Sequence, residues 1–450
     1  MNIENRTIFC HDNLDVLKGI NSDCINLIYA DPPFNKKKTF TAPVGSSAEG
    51  VSFSDIFREK DVKEEWLKDI EEDHYAIHEL LSAVKDIEGK SSYNFCYLAY
   101  MAVRLMECHR ILKDTGSMYL HCDSTMCHYL KLLLDCIFGE KNFMNEIVWC
   151  YRKWTNAAEY FQKNHDILLV YTKKYRKHFF EKLYNKNTPQ QKKMERGYDV
   201  NVVQDGVKQL LVYDKEKAKE KIESGKYNRV VYRDGKSKVA LQDWWEIPIL
   251  NSQAKERLGY PTQKPLALLE RIIRASSSED DMVLDPFCGC ATTCVAAERL
   301  KRKWIGIDVS VKAYELVKER LGKEVENRGT LFYEKLVRFN TDPPTRNDKD
   351  AYFTNKKYVY IISHPQYEGE YKVGIASDVK SRLGSYQTGD PDRSYKLEYS
   401  LHTPHFRAIE NYIHKKYDNK REWVQGELKD IQRDIENYGI SVKDSEVETI

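Results

Sequence analysis

Ile25-Asn26-Leu27-Ile28-Tyr29-Ala30 runs directly into Asp31-Pro32-Pro33-Phe34, and the reading of this passage decides the fold. The first six residues form an apolar run of strand length, and the acid falls just past its end, where α/β proteins place their chemistry. Each proline fixes its own φ and restricts the residue before it, so the turn is stiff. One carboxylate, one outward carbonyl and one aromatic ring are thereby held together. Such a set suits an exocyclic amine on a planar base: the carboxylate and a proline carbonyl accept the two amine hydrogens while the ring stacks on the base. The tripeptide alone is ambiguous, because a proline turn capped by an aspartate needs no ligand. Asp342-Pro343-Pro344-Thr345 has neither the strand nor the aromatic, and it reads as linker.

Outward from that turn, strands and helices alternate. The opening to Tyr29 reads strand, helix, strand, and the polar stretch Asn35 to Ser54, with Gly45, Ser46, Ser47 and Gly50, reads as a loop that closes over substrate. Helical spacing covers Lys63 to Val84 and Tyr93 to Leu112; Leu98, Met101, Leu105 and Met106 share a face of the second helix, and Gly116 is its stop signal. Ser117 to His121 follows as a strand and Met126 to Phe138 as a helix, the alternation of a wound α/β sheet.

At 450 residues the chain is long enough for two or three domains, each with its own core. With 71 basic and 69 acidic residues the formal net charge is only +2, so overall charge announces no polyanion partner and the local distribution must. That distribution shifts near Trp149. Residues 151–250 gather Lys173, Lys174, Arg176, Lys177, Lys192, Lys193 and Arg196 among Tyr, Asn and Gln, with Trp244-Trp245 near the end, while aliphatic periodicity fades. Cations that hold phosphates, beside polar side chains that reach base edges, are what a nucleic-acid reader needs; a solvated Lys-rich insert is the plainer alternative. Eleven cysteines without regular spacing, and a start with neither a basic nor an apolar signal region, lead to the expectation of a reduced cytoplasmic protein with free thiols. No run approaches the roughly 18 apolar residues of a membrane helix.

Pattern returns at Tyr260-Pro261-Thr262-Gln263-Lys264-Pro265, where Pro265 opens a predicted helix from Leu266 to Arg274. Asp281 to Leu284 then reads as a strand into Asp285-Pro286-Phe287-Cys288-Gly289-Cys290-Ala291-Thr292-Thr293, followed by a helix through Leu300. Strand, glycine turn and helix make a nucleotide-binding unit, since glycine lets backbone approach a ligand closely. The next strand, Trp304 to Ile307, ends in Asp308, about twenty residues after Gly289, where an acid can take ribose hydroxyls. There is no full glycine-rich pyrophosphate fingerprint and no phosphate-loop lysine–serine pair. An adenosine ligand without phosphates, S-adenosylmethionine, is therefore favoured. Cys288, Cys290 and Cys294 lie too close together for the usual paired zinc spacing and read as small thiols packed under the cofactor.

In this order the motifs resemble the β-class amino-DNA methyltransferases, the N-4/N-6 DNA methylases, over residues 1 to about 335. The resemblance implies a Rossmann-like S-adenosylmethionine-dependent α/β fold, with residues 1–150 as its catalytic half, 151–250 as an inserted target-recognition region and 251–335 as its cofactor half. It assigns the target amine to Asp31, Pro32, Pro33 and Phe34, and cofactor binding to Lys264, Asp285, Phe287, Gly289, Ala291, Thr292 and Asp308, with Lys264 on the cofactor carboxylate. The family often has a second glycine where this chain has Ala291. Cytosine-C5 enzymes place their nucleophilic cysteine after a proline, which occurs nowhere here, and the related protein-glutamine methyltransferases begin the turn with asparagine rather than Asp31. Direct transfer to adenine N6 is expected, with cytosine N4 chemically close.

Past a linker at 336–356, residues 357–450 open with a hairpin, Tyr358 to Ile362 and Tyr371 to Ile375, and resemble the GIY-YIG nucleases and their phage-derived DNA-binding branch, a small α+β domain. Tyr360, Gly374, Arg382 and Glu410 match that pattern, whereas Lys372 stands where the second tyrosine usually is. A nuclease, with Glu410 holding one Mg²⁺, and a binding module both stay open. The expected partners are S-adenosylmethionine and double-stranded DNA, without a membrane and with a homodimer left open. A single-chain restriction-modification enzyme is the other enzymatic reading. A DNA-binding regulator that merely retains the fold has against it the joint presence of Asp31, Phe34, Lys264 and Asp308.

Overall fold

From Leu27 onward, successive side chains of the strand Ile25–Ala30 enter opposite cores: Leu27 and Tyr29 pack in one, Ile28 and Ala30 in the other. A strand buried on both faces needs helices on both. Asn13–Gly19, Tyr93–Ile111 and Cys127–Phe138 cover one face, and Leu266–Ser276, Thr292–Arg299 and Val311–Glu326 the other. The computed structural model describes residues 2–446 apart from 90–91, 154–158, 160, 186–199, 205–206, 213–214, 227–228, 233–238, 252, 327–336, 349–356, 377, 389, 404 and 421. Lys192, Lys193 and Arg196 of the expected basic insert thus lie outside the described residues.

The central sheet runs in the order Trp244–Glu246, Phe143–Cys150, His165–Thr172, Leu112–Cys122, Ile25–Ala30, Met282–Asp285, Lys303–Asp308, Thr7–Cys10 and Arg338–Asn340. Only His165–Thr172 is antiparallel to its neighbours within this order. The expected α/β architecture is therefore what the chain adopts, and its sheet sets the site. Ile25–Ala30 pairs with Met282–Asp285, which pairs with Lys303–Asp308, so Asp31, Asp285 and Asp308 emerge side by side at the carboxyl ends of three adjacent strands.

Several expectations change at the element level. Gly116 does not stop a helix: the helix ends at Ile111, and Gly116 lies inside the strand Leu112–Cys122, where a Cβ would fall 2.7 Å from Leu112 Cδ1. The helical stretch from Lys63 divides at His74 into Glu64–Asp73 and Tyr75–Glu88. The loop expected over Asn35 to Ser54 contains an antiparallel hairpin, Lys38–Thr41 with Ser52–Asp55, closed by Phe40 stacked on Phe53. Within 151–250, His165–Thr172 and Trp244–Glu246 belong to the central sheet rather than to an insert, because Ile167 to Tyr171 are buried on both faces. Between them lie a small sheet of Val200–Gln204, Val207–Val212 and Arg229–Tyr232 and a pairing of Tyr184–Asn185 with Val239–Ala240. The linker expected from 336 also begins later. Arg338–Asn340 is the edge strand beside Thr7–Cys10, and Asn347 exchanges hydrogen bonds with Asn21 at 2.9 and 2.7 Å.

The C-terminal unit is an antiparallel sheet in the order Lys396–Thr403, Lys357–Ser363, Glu370–Ala376, Trp423–Gln425 and Asn419–Lys420. Phe406–Lys416 and Leu428–Glu446 pack Ile409, Ile413, Ile431 and Ile435 against Val359, Ile361 and Val373. Helix Glu64–Asp73 of the larger unit meets this one through charge: Lys357 Nζ is 2.5 Å from Asp73 Oδ2, and Arg407 Nη2 is 3.2 Å from Asp69 Oδ1. Among the described residues no helix is long and apolar enough to cross a membrane.

Candidate active site

The turn at Asp31 is clamped from behind by a residue of the hairpin. Asp55, fully buried, accepts the backbone N–H of Asn35 at 2.6 Å and of Lys36 at 3.0 Å. Burial raises this carboxyl above the usual carboxylate range, and those N–H groups and the Lys36 ammonium offset the rise only in part. In front, Asp31 Oδ2 accepts from Lys264 Nζ at 2.5 Å, and Oδ1 lies 3.9 Å from His121 Nδ1. His121 is wholly buried, with Nδ1 2.8 Å from the Tyr29 hydroxyl and Nε2 3.3 Å from Asp166 Oδ2. Tyr151 donates its hydroxyl to Asp166 Oδ1 at 3.1 Å. Burial alone would raise the Asp166 carboxyl, but His121, Lys264 and Tyr151 outweigh it and hold it at about 2. Phe34 is 9% exposed; the His121 ring lies 5.6 Å away, tilted by 33°, and the ammoniums of Lys36 and Lys264 stand 5.2 and 5.3 Å from its centroid.

The second half of the site grows from the next two strand ends. Asp285 accepts the Phe287 N–H at 3.0 Å and the Thr293 hydroxyl at 2.5 Å, yet burial, with the charges of Asp31 and Asp308 nearby, pushes its carboxyl up to about 7. Asp308 accepts the Gly289 N–H at 2.9 Å on one oxygen and the Ser310 N–H at 2.8 Å on the other. Each oxygen keeps a lone pair for a further donor. Gly289 sits at φ +50°, and a Cβ there would lie 3.0 Å from the Tyr260 ring, so backbone alone fits this cradle. Ala291 also adopts a left-handed φ of +57°, which favours the glycine of the resembling family. Beside it, Arg320 Nη1 donates to the Cys290 carbonyl at 2.6 Å and to Thr292 Oγ1 at 2.9 Å, which pins the loop. Burial raises the thiols of Cys288, Cys290 and Cys294, and two of them pack against Gly306 as neutral filler.

A single cavity of about 770 Å³ joins the two halves, from Phe34, Tyr151 and Asp166 to Gly289, Thr292 and Asp308. That volume suits a cofactor together with a small planar group. The donor set fits S-adenosylmethionine: the Asp308 carboxylate has lone pairs left for ribose hydroxyls, the Gly289 cradle admits close approach, and Lys264 is a cation for a ligand carboxylate.

In the C-terminal unit, Tyr360 stands opposite Gly374, where a Cβ would fall 2.6 Å from the tyrosine hydroxyl, so glycine is required there. The hydroxyls of Tyr360 and Tyr386 are 2.8 Å apart. Lys372 Nζ lies 4.3 Å over the Tyr386 ring and 2.8 Å from Glu422 Oε2. Arg382, on helix Val379–Thr388, acts electrostatically on Tyr360, and Glu422 links the field at Tyr360 to that at Glu410. Tyr360, Gly374 and Lys372 are thus gathered around Tyr386. Burial and the charge of Glu72 push the Glu410 carboxyl up to about 7. Among the described residues no group of three or more His, Cys, Asp and Glu gathers to hold a metal ion.

The sequence pattern of the DNA methylases (N6_N4_Mtase) matches residues 25–319, and that of the T5orf172 domain matches residues 357–439. The chain belongs to the DNA methylase family. It is an S-adenosylmethionine-dependent amino-DNA methyltransferase, acting on adenine N6 or cytosine N4. The type II methyltransferase M.HpaI of Haemophilus parainfluenzae is 24% identical to this methylase over 394 residues, covering 88% of this chain and 97% of its own. The DNA adenine methyltransferase YhdJ of Escherichia coli is 26% identical over 319 residues, covering 71% and 83%. Among solved structures, the M1.HpyAVI–SAM complex superposes with a TM-score of 0.37 at 17% identity over 70% of this chain and 98% of that one. The cytosine-N4-specific PvuII DNA methyltransferase gives 0.38 at 14% identity over 75% and 95%.

Of the residues that the methylase motifs single out, Asp31, Pro32, Pro33, Phe34, Lys264, Asp285, Phe287, Gly289, Thr292 and Asp308 all line the cavity, while Ala291 is buried behind it. Lys264 lies on Asp31, whereas the family resemblance points it only to the cofactor carboxylate. Four residues escaped the sequence reading: Asp55, His121, Asp166 and Arg320. His121 at the end of its predicted strand was a usable signal. Asp166 had none, because the lysine-rich stretch around it reads as insert.

Proposed function

We propose that the methylase acts at specific sites on DNA and transfers the methyl group to N6 of an adenine flipped out of the duplex. The observation that carries this reading is the convergence of Asp31 and Phe34 with Asp285, Gly289 and Asp308 on one cavity at adjacent strand ends. The Asp-Pro-Pro-Phe turn favours adenine over cytosine N4, and the relative YhdJ is a DNA adenine methyltransferase. When bound, S-adenosylmethionine supplies an electrophilic methyl group. The chain's own residues supply position and charge. An amine conjugated with its ring is a poor nucleophile; Asp31 and the Pro32 carbonyl accept its two hydrogens, which favours a pyramidal nitrogen with its lone pair free for attack. Phe34 offers stacking that offsets a few kcal/mol of unstacking. Asp308 holds the ribose, and no covalent enzyme intermediate is needed.

Residues 151–250, apart from the two strands they lend to the central sheet, are the expected target reader, and residues 357–450 serve DNA engagement. Burial of the Tyr360 hydroxyl against Tyr386 and pairing of Lys372 with Glu422 support binding over cutting, since neither group stands free to activate water. Mg²⁺-dependent nicking of unmethylated DNA, abolished by Glu410→Ala, would instead make this a single-chain restriction-modification enzyme. The central test is incubation with mixed-sequence DNA and labelled S-adenosylmethionine, followed by nucleoside chromatography. N6-methyladenine is expected, and Asp31→Ala should lower its formation by at least about a hundredfold through loss of the charged acceptor. N4-methylcytosine alone would overturn the base assignment, and near-normal transfer by Asp31→Ala the mechanism.

A further inference from the structure

We infer that Lys264 makes the amine acceptor conditional on the cofactor: without a ligand carboxylate, this lysine holds both Asp31 and Phe34, and a carboxylate-bearing cofactor releases them to the incoming base. The inference rests on the DNA-methylating reading of the site. Its ground is that one ammonium engages both groups assigned to the base. Lys264 Nζ is 2.5 Å from Asp31 Oδ2 and 5.3 Å from the centroid of Phe34. A carboxylate neutralised by an ammonium at hydrogen-bond distance is a weaker acceptor for a neutral amine. An aromatic face with a cation over it offers less to a base. Phe34, with Lys36 and His121 also against it, is nearly buried, so a base cannot stack there until something leaves.

The lysine is also the group able to leave. Its other acceptor is the carbonyl of Thr262 at 3.4 Å, a long contact in a turn where Thr262 itself takes a left-handed φ of +63°. Its flexible stem enters the same cavity as Gly289 and Asp308. A ligand whose adenosine part lies on Asp308 and Gly289 and whose other end carries an α-carboxylate offers Lys264 a second anion. Moving the ammonium to that anion leaves Asp31 charged and unpaired beside the buried His121, ready for the amine. Lys264 is thus a coupling residue, and the plain alternative is a lysine that fixes Asp31 in every state.

The experiment uses the full-length protein and a duplex with 2-aminopurine at the target position, once sequencing of modified DNA has located it. Fluorescence of the unstacked base is read without ligand, with S-adenosylhomocysteine, and with 5′-methylthioadenosine, which keeps the adenosine and thioether but lacks the carboxylate. S-adenosylhomocysteine should raise base unstacking by about fivefold or more, within the usual range of coupling between sites, and methylthioadenosine should leave it near the ligand-free level. Lys264→Met should unstack the base without ligand and lose the difference between the two ligands. Equal signals from the two ligands in the unsubstituted protein would overturn the inference, with no dependence on how the variant folds. So would a Lys264→Met protein of normal circular dichroism that still needs S-adenosylhomocysteine. Methylation of the unmodified duplex, measured in parallel, separates the failures: lost coupling with methylation intact removes only the role of Lys264, whereas absent methylation removes the functional reading as well.

Discussion

Asp285 and Asp166 show how one cavity sends two carboxylates in opposite directions. Asp166 has a histidine, a lysine and a tyrosine to favour its charge and is held at about 2, whereas Asp285 has only a hydroxyl and one N–H against full burial and two neighbouring acids, and rises to about 7. The raised value makes a stability prediction. Between about pH 4 and 7 the unfolded chain has released this proton while the folded chain retains it, so the folded state binds more protons and loses stability as pH rises, by up to about 1.4 kcal/mol per unit. Asp285→Asn carries no such proton. In thermal melts of cofactor-free protein, the stability of the variant relative to the parent should therefore grow from pH 4 to pH 7. Parallel curves across that window would show that Asp285 titrates like an ordinary carboxylate.

At the scale of elements, the cofactor loop depends on what its supporting strand lacks. A Cβ at Gly306 would lie 2.8 Å from Ile8 Cδ1, 2.9 Å from Cys288 Sγ and 3.0 Å from Cys294 Sγ, a clash shared by the neighbouring strand, the loop and the following helix. Gly306→Ala should cost about 1–3 kcal/mol of stability by overpacking, and it should weaken S-adenosylhomocysteine binding because Cys288 adjoins Gly289. Denaturant unfolding and titration calorimetry would show both, and an unchanged pair of values would mean that the thiols yield freely. The strands around this loop were legible in the sequence, since short apolar runs at 25–30, 281–284 and 304–307 end in acids or glycine turns. The hairpin Lys38–Thr41 with Ser52–Asp55 was not: its strands have four residues each and are largely exposed, so no apolar alternation marks them. His165–Thr172 was hidden for another reason, because flanking lysines swamp its apolar run in any window wide enough to judge composition. With it went Asp166. The contact between Lys264 and Asp31 spans 233 positions, and no local pattern carries such a pairing.

For the whole molecule, the C-terminal unit is expected to be separable. Arg338–Asn340 and the Asn21–Asn347 clasp belong to the larger unit, so a chain ended after Asp348 keeps every strand of the central sheet. That shortened protein should still methylate DNA at saturating concentration, and it should bind DNA more weakly because two tethered sites gain from effective concentration. Gel-shift titration beside a methylation assay would test this, and loss of both folding and transfer would refute the division. The central sheet has one more consequence, which concerns synthesis. Ile8 pairs with Gly306, and Leu27 with Val283, so Thr7–Cys10 finds its first partner, and Ile25–Ala30 its second after Leu112–Cys122, only once most of the larger unit has been translated. At about 5–20 residues per second, a delay of roughly 300 residues lasts about 15–60 s, during which both apolar edges are open to chaperones and to neighbouring nascent chains. Over the same interval the turn at Asp31 already exists as polypeptide, but Asp285 and Asp308 have yet to leave the ribosome, so an unfinished chain has no means of modifying a genome.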